Sequence, residues 1–413
     1  MRTLDLVYFN AGGGHRAAAL ALQAVLREQQ RPVQVRLVDL PKVLDPGDRF
    51  RRLTGFAPEA FYNRRLASGV TLGLAQELKL LQASIRVLHE PMVRRLAAHW
   101  RLTRPDAVVS LVPNFNRAMH AGLARALPGV PYVTVLTDMA DHPPHFWIEP
   151  DLDLHLIVGT PHAAAQALAA GCPAERVRLV SGMILRPEFH RPRPLDVARE
   201  RVAQGLDPAR PVGVVTFGGH GSRAMVSIAR RLPDTPLILL CGHNAALAEQ
   251  LRAQPGRAPR VVVEFTADVQ RWMRLGDFLI GKPGPGSISE AVQCGLPVIV
   301  TRNRATMPQE RYNTDWVLER GVGVVLERFR GVGAAVDEVV TRLPELRAAV
   351  ARVHNRAVFE VADLLLEIAA HGRPAAAPGP PAGLSRRPTP AATGCAAPGP
   401  PASAAAPSVP GRA

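Results

Sequence analysis

Aromatic residues make up only 5% of this 413-residue chain. Proteins that grip single-stranded nucleic acid stack bases on aromatic rings, so that class of function is disfavoured from the start. Cysteine is scarcer still. Cys172, Cys241, Cys294 and Cys395 include no CxxC pair and no two at metal-ligand spacing. That argues against a zinc module or a disulfide scaffold, and suits a reducing compartment. No stretch reaches the roughly 18 uninterrupted apolar residues of a spanning helix. The N-terminus, MRTLDLVYFNAGGGH, has neither the apolar core nor the cleavage site of a signal peptide. The expectation is a cytoplasmic protein, soluble or peripheral on a membrane. Acidic charge is also short: 35 Asp+Glu against 50 Lys+Arg leave a formal net charge of +15. Such an excess favours anionic partners, whether nucleic acid, phosphorylated substrates or anionic lipid headgroups.

What the chain does have is 47% hydrophobic residues, and at roughly 100–200 residues per domain it is long enough for two or three. Short apolar runs alternate with helical stretches. Strands are expected at 4–9, 33–40, 107–112, 132–137 and 154–158. After a Pro-rich break at 185–195 the pattern restarts, with strands at 212–217, 237–241, 261–264, 278–280, 298–301 and 322–326. Short β-rich runs separated by helices predict parallel sheets with crossover helices, here as two doubly wound α/β domains facing across a cleft. The boundaries read as 1–185 for an N-terminal domain, 186–345 for a C-terminal domain, and 346–372 for closing helices. From 373 to 413 the chain is Ala, Pro and Gly with little else, and is expected to be disordered. Residues 45–104 interrupt the first series with a helical, Arg-rich stretch (Arg51, Arg52, Arg64, Arg65, Arg94, Arg95, Arg101). These are ordinary surface helices or a basic amphipathic face that touches membrane.

Five segments carry chemistry. In NAGGGHRAAALAL, residues 10–22, a strand runs into Gly12, Gly13 and Gly14 and then a helix. This is a tight βα turn or a place where a ligand approaches a helix N-terminus. It is not GxGxxG, and Asp39 is only a loose match for an acidic ribose partner. His15 follows, an imidazole at the mouth of a cleft, able to take a proton near neutral pH. In IGKPGPGSISEAVQCGLPVIV, residues 280–300, Gly284 and Gly286 permit close backbone approach. The helix expected from about Ser287 aims its first amides at a diphosphate. Glu290 has the two oxygens needed to accept both hydroxyls of a ribose, although Ser287-x-x-Glu290 also reads as a capping box that needs no ligand.

In TMPQERYNTDWV, residues 306–317, a helix expected from about Pro308 puts Gln309, Glu310 and Asn313 on its first turns, chemistry suited to sugar hydroxyls. In VLTDMADHPPHFW, residues 135–147, Asp138 ends a strand before a loop with His142, His145, Phe146 and Trp147. Pro143 and Pro144 interrupt any metal-ligating His pair, so the loop suits an acceptor with polar and apolar parts instead. In VVTFGGHGS, residues 214–222, Gly218 and Gly219 offer further amides, or simply turn the chain.

GGGHRAAA, TDMADHPPHFW, GKPGPGSISEAVQCGLPVIV and PQERYN stand in the order found in glycosyltransferase family 28, of the GT-B fold. The chain resembles in particular its monogalactosyldiacylglycerol synthase and processive diacylglycerol glucosyltransferase branch, over about residues 4–370. The resemblance implies inverting transfer of a hexose from a UDP-sugar to a lipid hydroxyl, with diacylglycerol as acceptor, at the inner face of the cell membrane; it places the acceptor on the 1–185 domain and the donor on the 186–345 domain. By position it implies His15 as base with Asp138 beside it. It has Gly284, Gly286 and Ser287 hold the donor's diphosphate, Glu290 its ribose, and Gln309 and Glu310 its hexose; by their own chemistry Gly13, Gly14, Gly218 and Gly219 offer amides or merely turn the chain, and Lys282 is a cation for the phosphates or a solvated loop residue. His142, His145 and Trp147 face the acceptor. No metal or separate cofactor is implied. Pro308 stands where that branch usually has Gly, and HPPHFW where it has an HPTWF-like segment.

Two rivals remain at this level. A UDP-N-acetylglucosamine 2-epimerase would need several carboxylates near the sugar. A nucleic-acid or other anion-binding protein would interleave Arg and Lys with aromatics along one face, whereas the arginines here gather at 45–104 with few aromatics.

Overall fold

The computed structural model describes residues 1–9, 14–48, 52 and 74–371. Gly13, Arg51, Arg64, Arg65 and the 373–413 tail lie outside the described residues. Twelve strands are described: β1 Arg2–Tyr8, β2 Val33–Asp39, β3 Ala107–Ser110, β4 Tyr132–Val135, β5 His155–Val158, β6 Val177–Leu179, β7 Gly213–Thr216, β8 Leu237–Gly242, β9 Arg260–Glu264, β10 Phe278–Gly281, β11 Val298–Thr301 and β12 Gly323–Leu326. Eleven of these answer the apolar runs of the sequence. The twelfth, β6, was not expected. It is a three-residue edge strand whose central Arg178 breaks the apolar run, and it exists because β5 offers a free edge.

The strands form two all-parallel sheets, β2-β1-β3-β4-β5-β6 and β12-β11-β10-β7-β8-β9. In each, the order reverses beside the first strand of the series, between β1 and β3 and between β7 and β10. In open α/β sheets ligands bind outside the carboxyl ends of strands at such reversals. The motifs all leave strands at those ends: His15 after β1, Asp138 after β4, Gly218 after β7, Lys282 after β10 and Glu310 after β11.

Each sheet is covered on both faces. Helix Gly14–Glu28 packs Leu22, Val25 and Leu26 against Leu4 and Leu6 of β1. Helix His89–Thr103 packs Val93, Leu96 and Trp100 on the opposite face. Gly122 of helix Asn116–Ala126 lets that helix close on Leu96 and Trp100, because a Cβ there would meet them at 2.8 and 3.2 Å. Helix Ala357–His371, which follows the second sheet in sequence, returns to the first and buries Val358, Val361 and Leu365 in its core. The chain thus crosses between lobes twice, once through 180–195 and once before Ala357. Met139, Met183, Leu185 and Phe189, from the first lobe and the linker, are buried with the core of the second.

Candidate active site

The GPG loop begins with Gly281 at the end of β10. Helix Pro285–Gln293 starts two residues earlier than the sequence suggested, with Gly284 as its N-cap and Pro285 in its first turn. Pro at that position has no N–H to leave unsatisfied, which is why the start moves. The consequence is chemical. Ser287 lies inside the helix rather than at its cap, so the Ser287–Glu290 capping box does not form. Burial pushes the Glu290 carboxyl up to about 7, with the Arg186 cation pulling the other way.

The glycines around this loop face open space. A Cβ at Gly286, Gly219 or Gly14 would meet no atom within 4 Å, and none of the three has a positive φ. Neither packing nor backbone conformation demands glycine there, and the space beside each is open. Gly218 differs, since its φ of 78° alone accounts for it. Gly284 stands beside the far ends of Lys282 and Glu310.

Lys282 does not stand free among the expected phosphate contacts. Its Nζ donates to Glu310 Oε1 at 2.7 Å, and Glu310 is buried. The 306–317 segment is also organised differently from expectation. A 3-10 turn, Pro308–Glu310, precedes helix Arg311–Arg320, so Gln309 and Asn313 do not share a helical face. Gln309 is half-buried at the cleft. Asn313 is fully buried, and its Nδ2 donates to the Pro283 carbonyl at 2.7 Å, pinning the GPG loop from behind.

On the first lobe, His15 is half-buried, with Nδ1 2.9 Å from Thr137 Oγ1. Burial pushes its imidazole down to about 4, against a hydrogen bond to the Leu111 backbone that works to raise it. His15 is therefore neutral across the neutral range. Asp138 is buried and accepts from Trp147 Nε1 at 2.9 Å. Desolvation pushes it up to about 7, aided by the negative charge of Glu310 and opposed by the indole and by Lys282. Lys282 and Glu310 belong to the other lobe, so Asp138 looks across the cleft at them.

Trp147 is fully buried, its ring 5.9 Å from that of His15. It supports Asp138 and His15 and offers no surface to an acceptor, which corrects the role expected for it. His142 and His145 are exposed. His145 N and Trp147 N both donate to the Asp141 carboxylate, at 3.1 and 2.7 Å, and this shapes the loop. Burial and the Arg311 cation across the cleft both lower the His142 imidazole.

Two residues were missed in the sequence. Thr137 was read only as a strand end. Arg186 donates to the Ala267 carbonyl at 2.8 Å, pairs with Glu188 at 2.9 Å, and is felt electrostatically by Glu290. It sits in the Pro-rich break, where no periodicity marks an inward-facing cation.

Two lobes of this topology, meeting at the carboxyl ends of their sheets, are found in solved glycosyltransferases. MurG of Acinetobacter baumannii covers 89% of this chain and is itself covered completely, with a TM-score of 0.55 at 14% identity. The calicheamicin glycosyltransferase CalG4 gives 91%, 100%, 0.55 and 15%. The chain has the GT-B fold. In sequence it is similar to the chloroplastic monogalactosyldiacylglycerol synthase of Spinacia oleracea, 28% identical over 357 residues. That match covers 80% of this chain and 64% of the relative. Monogalactosyldiacylglycerol synthase 1 of Arabidopsis thaliana is 27% identical over 340 residues, 76% of this chain and 60% of that one. The chain thus spans somewhat less than two thirds of the length of these two relatives. No protein-family model matches it.

Proposed function

We propose that this protein is a glycosyltransferase that moves a hexose from a UDP-sugar to the free hydroxyl of a lipid, diacylglycerol in first place, with inversion at the anomeric carbon. The observation that carries the reading is that buried Asp138 of the first lobe feels the charges of the Lys282–Glu310 pair of the second. It puts a carboxyl tuned near neutrality opposite the polar groups of the donor side. The names of the curated relatives support galactose and diacylglycerol.

In this reading the diphosphate lies against Gly286 and the first amides of helix Pro285–Gln293, whose dipole stabilises the charge that grows on UDP as the glycosidic bond breaks. Glu290 accepts the ribose hydroxyls, with Arg186 behind it. Glu310 and Gln309 read the hexose, and the donor's charge competes for Lys282. The lipid hydroxyl attacks from the first lobe, on the face opposite the leaving UDP. Its proton goes to Asp138, the better matched base, because a catalytic pKa works best near the operating pH. Neutral His15 orients the attacking hydroxyl.

The acceptor would be reached from an anionic membrane surface, at the inner face of the cell membrane. Leu80, Leu81, Val87 and Leu88 are exposed on adjoining helices, and exposed Arg86, Arg94, Arg95 and Arg101 lie nearby in the chain. Among the described residues no helix is long and apolar enough to cross a membrane.

The test is incubation of the protein with labelled UDP-galactose or UDP-glucose and vesicles of diacylglycerol and phosphatidylglycerol. Equal amounts of UDP and labelled glycolipid, with the product anomer opposite to the donor's, are expected. UDP released without a lipid product, or no release from either sugar nucleotide, overturns the proposal.

A further inference from the structure

The lobes also touch through a pair of rings, Tyr312 of the 306–317 segment and His162, which no sequence motif marks. His162 stands in the first turn of helix Pro161–Ala169, behind β5 of the first sheet. Tyr312 stands in the first turn of helix Arg311–Arg320, behind β11 of the second. Their ring centroids are 3.9 Å apart and their planes 14° apart, a face-to-face stack. Within the lobes most ring pairs meet edge-on, as Phe217 and Phe329 do at 70° and His120 and Tyr132 at 85°. The cross-lobe pair is stacked instead, as His243 and Phe265 are within the second lobe at 3.9 Å and 16°.

Each ring is anchored within its own lobe, close to the reacting groups. Thr160 caps the His162 helix, accepting from Ala163 N at 3.1 Å, and its hydroxyl donates to the carbonyl of Met139, the residue after Asp138. Tyr312 lies between Glu310 and Asn313, and its hydroxyl donates to Glu319 Oε2 at 3.1 Å. The stack therefore joins the loop that carries Asp138 to the arm that carries Glu310. The helices around it continue the contact. A cavity of about 330 Å³ behind them is lined from both sides, by Thr160 and Pro161 of one lobe and by Ser289 and Trp316 of the other.

We propose that His162 and Tyr312 form an interlobe clasp. They are positioning residues that hold the Asp138 loop and the Glu310 arm at reacting distance, and they part when the lobes open to exchange nucleotide. The assignment of a role in donor turnover rests on the reading of the cleft given above, whereas the clasp itself rests on the ring geometry alone. An aromatic pair of this kind biases a two-state opening by about two- to tenfold.

The experiment uses the full chain with His162→Ala, Tyr312→Ala and the double variant, with Tyr312→Phe as the conservative control. Small-angle scattering of the UDP-free protein reads the lobe opening, and steady-state kinetics read KM for the sugar nucleotide separately from kcat. Each alanine variant should expand the particle and raise the donor KM about two- to tenfold, at an unchanged melting temperature. The double variant should be no worse than either single one, and Tyr312→Phe should behave as the parent. Single variants with the parent's scattering and KM, or losses that add in the double variant, overturn the clasp. Coupled expansion in a protein that transfers no sugar upholds the clasp and overturns the donor reading.

Discussion

At the scale of single residues, the site turns on two carboxyls held near neutrality by burial. Asp138 is raised from 3.8 to about 7 and Glu290 from 4.5 to about 7. If Asp138 is the base, it works only when deprotonated, so kcat/KM should fall as pH drops below about 7, and Asp138→Asn should abolish that limb with most of the rate. A limb near 4 that persists in Asp138→Asn and vanishes in His15→Ala would point to His15 instead, whose imidazole is pushed down to about 4. Linkage supplies an independent check. A carboxyl raised on folding contributes stability below its unfolded pKa, and that contribution is lost as pH rises through the folded value. Asp138→Asn should therefore melt like the parent at pH 4 and higher than the parent at pH 8. The gain should exceed about 1 kcal/mol, since one pKa unit is worth about 1.4 kcal/mol. Glu290→Gln has a different signature. It should weaken UDP binding about ten- to a hundredfold, as a lost charge-assisted hydrogen bond does. Because the capping box is absent, stability should not fall, and calorimetric titration beside a thermal melt reads both.

At the scale of elements, one buried carboxylate knits the second lobe together. Asp277, between helix Val269–Arg274 and β10, accepts from Arg201 Nη2 at 2.7 Å, Val212 N at 2.8 Å and Arg347 Nη2 at 2.6 Å. It joins helix Val197–Ala203 at the exit of the linker, the start of β7 and helix Leu343–Ala351. Arg201 is buried and has few other acceptors, the Leu275 and Pro208 carbonyls. Asp277→Ala leaves that cation inside without its counter-charge, a change that typically costs about 3–5 kcal/mol. Urea unfolding should show the loss, and a midpoint equal to the parent's would mean that water or the carbonyls compensate.

At the scale of the whole molecule, the net charge of +15 and the exposed leucines suggest reversible association with anionic surfaces. Binding to phosphatidylglycerol vesicles should weaken as salt shortens the screening length below about 8–10 Å. Leu80→Glu with Val87→Glu should weaken it further without moving the melting temperature. Binding unchanged by both would remove the 74–104 face from the proposal. Residues Met1–Pro374 form one compact unit, so a chain that stops at Pro374 should keep the parent's melting temperature and turnover.

Much of this architecture was legible in the residues. The central strands announced themselves because a strand covered on both faces is apolar nearly throughout, as Val298–Thr301 and Leu237–Gly242 are. The βα turns were legible because glycine and proline restrict or free the backbone locally. Such signals depend on neighbours in the chain. What the sequence could not show depends on neighbours in space. β6 needed the free edge of β5, and helix Ala357–His371 needed an open face on the first sheet. Trp147 looked like an acceptor platform until burial turned its indole onto Asp138. Arg186 near Glu290, and His162 on Tyr312, join residues far apart in sequence, which no spacing can encode. The values near 7 at Asp138 and Glu290 likewise arise from desolvation, a property of the folded surroundings. Local covalent preference and hydrophobic pattern thus determined the elements and their order, while only the packing of two lobes decided which side chains share a site and in what protonation state.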